Sequence, residues 1–234
     1  NFEVCDYMDF LVAPGREHDV MTGFFDCLDE QGVATIDLRG LAHGSTTLKY
    51  LPILAENRGW NVQSGEEAIC SIVSLAPDWD TYLSGLRKKH RHEIRRKLRH
   101  IADGGAKIEL SVYREPSDLL ERLPDFLSLM VESRGDKAAF MTDRMATFFH
   151  LLVKRLSSEY FVRFYFLTLD GMMVAAVLGF VADQSLLFYN SGYDPKYRDL
   201  SVGIVSKVFI LRNAIEERLR FANFLRGDEN YKIQ

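Results

Sequence analysis

The stretch "YFVRFYFLTLDGMMVAAVLGFVADQSLLFYNSGY", residues 160–193, decides how this chain folds. Two apolar runs flank Asp170–Gly171, a pair whose glycine tolerates positive φ and so suits a two-residue hairpin turn. A third run, residues 185–193, follows Asp183–Gln184. Three strands joined as a meander are therefore expected, rich in the β-branched and aromatic residues that fit a pleated surface.

Working outward, the meander is preceded by helical signals at 117–134 and 142–157 and by strand character in "AKIELSVYRE", 106–115. It is followed by a helix over 201–219 and a short strand, "FANFL", at 221–225. Nearer the N-terminus, residues 17–31 and 46–58 read as helices ended by glycines. "VATIDL" at 33–38 reads as a buried strand, and "EEAICSIVSL" at 66–75 as another, closed by Pro77. Asp78 or Asp80 then suits the N-cap of a long helix, 79–103, that Gly104–Gly105 terminates.

That helix carries "RKKHRHEIRRKLRH", residues 87–100, with eight Lys or Arg, three His and a single acid, Glu93. A basic run of this density raises the question of nucleic acid. The net charge is −4, however, so the excess is local, whereas duplex readers are usually basic overall. The helix has no aromatic residue for stacking. Leu83, Leu86, His90, Ile94, Leu98 and Ile101 recur at three- and four-residue spacing and mark a face that docks on the rest of the fold. The cations are expected on the solvated side, with anion binding as a second use.

Other chemistries find little support. The cysteines Cys5, Cys27 and Cys70 are odd in number and far apart, with no metal-ligand spacing, and are expected to be small buried hydrophobes in a reducing compartment. The six His do not cluster either, so no metal is expected. "MMVAAVLGFVA" is too short to span a bilayer, which needs roughly 20 residues. With no signal peptide visible, a cytoplasmic location is expected. The chain begins at Asn1 and stops at "YKIQ", so trimmed ends are expected as well.

Two stretches could carry chemistry. In "YDPKYRDLSVGIVSKVF", 193–209, a strand runs through a short loop into a helix that opens at Ser201–Val202–Gly203. A helix start with little side-chain bulk presents unpaired backbone N–H groups on which a phosphate can sit. Ser201 would equally be an ordinary N-cap, and Gly203 an ordinary packing glycine. In "FLRGDENYK", 224–232, an acid pair, a phenol and an amine follow a strand, and a polar surface turn would have the same composition.

"RDLSVG", 198–203, resembles the pyrophosphate loop of GNAT-superfamily acyltransferases, written [QR]-x-x-G-x-[GA], with Ser201 at the first glycine. Together with "LRKKHRHEIRRKLR", "LDGMMVAAVLGF" and "FLRGDENYK", it is similar to the CelD/BcsL-like branch. These bacterial GNAT-like proteins are associated with cellulose biosynthesis and related in fold to FemABX aminoacyltransferases. The resemblance covers residues 79–234 well and is weaker over 1–78. Val202 stands where the branch often has Pro, leaving an N–H available. Asn223 stands where an Asp is commoner, so no base is expected there.

The resemblance implies an α/β, GNAT-like fold: a mixed, mostly antiparallel sheet flanked by helices, with residues 79–234 as the acyltransferase domain and 1–78 as a partial second lobe. It implies acyl transfer from acetyl-CoA or another acyl-CoA to an amine or hydroxyl of a small-molecule or saccharide acceptor. The cofactor-binding residues would be Tyr189, Asn190, Ser191, Arg198, Ser201, Val202 and Gly203, with backbone donors at 189–191 polarising the thioester carbonyl. The catalytic candidates would be Asp228, Glu229, Tyr231 and Lys232. A tRNA-dependent, FemABX-like aminoacyltransferase and a non-catalytic GNAT scaffold are the alternatives.

Overall fold

A computed structural model describes residues 4–227. The chain divides into two compact units at Ile69/Cys70.

In the first unit, helices α1 (Glu17–Glu30) and α2 (Thr46–Asn57) bury Met21 and Phe25 against Leu51 and Ala55. Ser45 caps α2, its hydroxyl oxygen accepting from the Leu48 N–H at 3.3 Å. The strand expected at 33–38 does not form. Residues 33–38 are half-buried or exposed, and no other described segment of this unit is a strand that could supply a hydrogen-bond ladder. The cysteine expectation is likewise corrected: Cys5 and Cys27 are exposed and Cys70 half-buried, all three as free thiols.

The second unit holds a six-stranded sheet in the order β1-β6-β5-β4-β3-β2. Its strands are β1 (Cys70–Ser74), β2 (Ile108–Tyr113), β3 (Val162–Leu169), β4 (Met172–Ala182), β5 (Ser185–Tyr193) and β6 (Phe221–Arg226). Every pairing is antiparallel except β5 with β6. At the two tight turns, Asp170–Gly171 and Asp183–Gln184, both central residues have positive φ, as a type I′ hairpin requires.

The apolar runs of β3 and β4 are continuous because both sheet faces are buried. Phe164 and Phe166 point to one face, where α5 (Pro116–Ser133) and α7 (Asp143–Leu156) bring Phe126, Met130 and Phe149. Tyr165 and Leu167 point to the other, against α8 (Val202–Glu216), which brings Val202, Val205 and Ile210. Burial pushes the Tyr165 phenol well above its ordinary pKa.

The expected long helix 79–103 is two helices, α3 (Trp79–Gly85) and α4 (Lys88–Asp103). Leu86 and Arg87 between them are extended. The Arg91 guanidinium stabilises this break by donating to the carbonyls of Ser84 at 2.9 Å and Leu86 at 3.4 Å, which the end of α3 leaves unpaired. Asp78 is the N-cap of α3, its Oδ1 accepting from the Thr81 N–H at 2.8 Å. That bond holds the Asp78 carboxyl below its usual range. The apolar face of α4 docks as its spacing predicts, with Leu98 and Ile101 packed beside Val202 and Val205.

Candidate functional site

β5 and β6 pair only over Ser185–Leu187 and Phe221–Asn223. Beyond that level each strand is irregular. In β5, Tyr189 is an extra residue, since Asn190 faces Leu178 and Phe188 faces Gly179. In β6 the register with β1 shifts between Cys70 and Ile72, and Leu225 takes a φ of 56°. The Asn223 side chain supports this kink, its Oδ1 accepting from the Leu225 N–H at 2.8 Å. The two strands therefore part after Phe188 and Phe224, whose rings stack with centroids 4.5 Å apart.

The end of β5, Ser191–Tyr193, still pairs with β4 but no longer with β6, and runs through a 3₁₀ turn (Pro195–Leu200) into α8. These elements and the short helix α6 (Gly135–Phe140) border a cavity of about 270 Å³. Ser191 and Gly192 form one wall, Arg134 and Lys137 another, and Arg198 with the first turns of α8 through Lys207 a third. Four cations line it, and among the described residues no acid does. Lys137 Nζ donates to Asn190 Oδ1 at 3.1 Å and also to the Ser191 carbonyl. Lys207 Nζ donates to the Gly203 carbonyl at 3.0 Å. Arg134 is bound to Asp136 at 2.7 Å and holds that carboxyl below its usual range.

The start of α8 differs from an ordinary cap. Ser201 is in the left-handed region, φ 55° and ψ 36°, and its side chain caps nothing. This corrects the N-cap reading: an N-cap is normally extended, with its oxygen turned back on the helix. Here Ser201 Oγ instead accepts from Lys97 Nζ of α4 at 2.8 Å. The Ser201 carbonyl accepts from the N–H groups of Ile204 and Val205, leaving those of Val202 and Gly203 without a partner among the described residues. Both residues line the cavity. Two unpaired N–H groups at the positive end of a 15-residue helix, beside a cavity lined by four cations, suit an anion, Gly203 being half-buried and Val202 fully buried.

Gly203 is not needed for packing. A Cβ there would come no closer than 3.5 Å to the Tyr193 ring, an ordinary contact, and its φ is not positive. What the glycine keeps open is the approach to the backbone from the cavity.

Of the residues expected to bind cofactor, Ser191, Arg198, Ser201, Val202 and Gly203 share this cavity. Tyr189 and Asn190 do not line it; the Tyr189 ring packs against Phe149 and Phe180. One expected donor is otherwise engaged, because the Ser191 N–H is given to Asn190 Oδ1 at 2.9 Å and is not presented to a carbonyl. Asp228, Glu229, Tyr231 and Lys232 lie outside the described residues. Sequence reading missed Lys97, Arg134, Lys137 and Lys207. Lys207 had a signal, four residues after Gly203 on the same helix face; the other three reach the site only through tertiary packing.

Residues 88–233 match the family model described as an acetyltransferase (GNAT) domain. The chain belongs to this family. No curated protein matches the sequence. Among solved structures, FemX is similar to this GNAT domain protein with a TM-score of 0.59 and 12% identity, over 95% of this chain and 71% of FemX. A conserved protein of unknown function from Bacteroides thetaiotaomicron VPI-5482 gives a TM-score of 0.50 and 13% identity, over 73% of this chain. This chain spans just over half, 55%, of that protein. At these identities the likeness is one of fold. Within the GNAT domain no described helix is long and apolar enough to cross a membrane, and no described cluster of His, Cys, Asp or Glu could hold a metal ion.

Proposed function

We propose that this GNAT domain moves an acetyl or longer acyl group from acyl-CoA directly to an amine or hydroxyl acceptor. The observation that carries this reading is the cationic cavity at the start of α8, where the free N–H groups of Val202 and Gly203 face a space lined by Arg198 and Lys207. A pyrophosphate fits the charge and donor set of such a site. The parting of β5 from β6 leaves an open strand edge beside it, along which an extended acyl carrier could lie.

The thioester supplies an activated acyl group, so the chain has only to orient the acceptor and remove its proton. Asp228 and Glu229, directly after β6 and Gly227 in sequence, are the proposed bases, with Lys232 for developing charge and Tyr231 for the leaving group. The likeness of the motifs to CelD/BcsL-like proteins favours a saccharide or cell-envelope acceptor.

A second reading, a FemABX-like enzyme that takes its acyl group from charged tRNA, is favoured by one observation. Lys88, Lys89 and Arg95 on the exposed side of α4 have no hydrogen-bond or ion-pair partner for their charged groups among the described residues. Calorimetry separates the two. The protein should bind CoA and acetyl-CoA, and it should not bind bulk tRNA with a steep salt dependence. Tight, salt-sensitive tRNA binding that Arg95→Glu with Arg96→Glu removes, and a flat CoA titration, would replace the first reading by the second.

A further inference from the structure

The contact between Lys97 and Ser201 belongs to neither the sheet nor a helix ladder, and it joins the basic helix to the proposed phosphate site. Lys97 is an α4 cation whose charge is turned toward α8. Its side chain is 13% exposed, against 55% for Arg96, and its Nζ lies 2.8 Å from Ser201 Oγ and 3.1 Å from Glu93 Oε1. Ser201 sits at a φ of 55°, which an L-residue adopts at a cost that glycine avoids. Neither helix capping nor an easy backbone conformation accounts for a serine at this position.

The hydroxyl chemistry supplies a reason. A serine hydroxyl has one proton to give and two lone pairs. Lys97, an ammonium with donors only, occupies a lone pair of Oγ, so the Ser201 proton must point elsewhere. Among the described residues it has no acceptor, while Ser201 itself lines the cavity. Without Lys97 the hydroxyl would be free to rotate, and its proton would no longer be held toward the cavity. A donated bond from an ammonium also polarises the O–H and makes it a stronger donor in turn.

We propose that Lys97 is a positioning residue that makes Ser201 a third anion donor, placing its O–H beside the N–H groups of Val202 and Gly203. The inference rests on the reading of this cavity as the CoA phosphate site. Glu93 counterbalances the same ammonium, with its Oε1 3.1 Å from Nζ.

The test is a double-mutant cycle read by CoA titration calorimetry, with the unliganded melting temperature of each protein measured alongside. Lys97→Met should weaken CoA about tenfold, the loss of one charge-assisted donor. Ser201→Gly, which suits the left-handed backbone, should weaken it by a similar factor. Lys97→Met in the Ser201→Gly background should then cost nothing further, because Lys97 acts through that hydroxyl. A lysine that merely fastens α4 to α8 would lower the melting temperature and leave the two effects independent. Unchanged CoA affinity in either folded single variant, or full additivity in the double variant, overturns the proposal. A flat titration of the parent protein instead overturns the CoA reading beneath it, and the parent trace tells the two failures apart.

Discussion

Two stretches border the cationic cavity: the end of β5, where α5 lies across it, and the start of α8. Each contributes a glycine, and the two differ in what a side chain would meet. A Cβ on Gly192 would overlap the backbone of Leu129 and Met130 in α5. A Cβ on Gly203 would meet only the Tyr193 ring, at 3.5 Å. The first glycine lets a helix approach a strand; the second leaves space that no protein atom uses. Backbone exposed on purpose at a helix start is a feature of a binding surface, whereas backbone hidden under a helix belongs to the core.

Filling the two glycine positions should have opposite consequences for folding and binding. Gly192→Ala should destabilise the protein by about 3 kcal/mol or more, since neither strand nor helix backbone can move aside without repacking the core. A melting temperature close to the parent's would mean that α5 is not held tightly on β5. Next in size is the loss of Arg198, which is exposed and has no side-chain partner among the described residues. Arg198→Ala should leave the melting temperature near the parent's and weaken CoA about tenfold, measured by calorimetry. The smallest effect concerns Glu93, whose carboxyl is held at about 2, below its ordinary 4.5, by the hydrogen bonds from Arg96 and Lys97. A depressed carboxyl stabilises the fold above pH about 4.5 and loses that contribution as the pH falls toward about 2. Glu93→Gln should therefore be slightly less stable than the parent at pH 7, and the two denaturation curves should converge over that acid range. The contribution is minor because the pair is solvent-screened.

The central sheet was legible because its strands speak locally. Continuous apolar runs rich in β-branched and aromatic residues over 160–193 and two tight turns with positive φ define β3, β4 and β5 without reference to anything distant. The start of α8 was legible for the same reason. Features that depend on a partner were not. The break at Leu86–Arg87 is held by the Arg91 side chain, and a single glycine at 85 does not announce it. Residues 33–38 have the composition of a strand, and among the described residues of their unit no strand is present to pair with them. Lys137 comes to β5 from more than fifty residues away, so its place in the cavity is invisible to spacing. A serine before a helix usually caps it, and only the left-handed backbone and Lys97 reveal that Ser201 does not.

Gly203 is the residue whose replacement tests the anion site most severely. The measurement is a CoA titration of Gly203→Val beside the parent, with folding of both checked by thermal melting. A Cβ at this position makes only ordinary contact with Tyr193, so the fold should stay intact, while the branched side chain should fill the approach to the Val202 and Gly203 N–H groups. The predicted result is a folded protein whose CoA affinity falls by about a hundredfold or more, the loss of the backbone anion site. A folded Gly203→Val protein that binds CoA as tightly as the parent would contradict it, and would place the cofactor's phosphates elsewhere on the molecule.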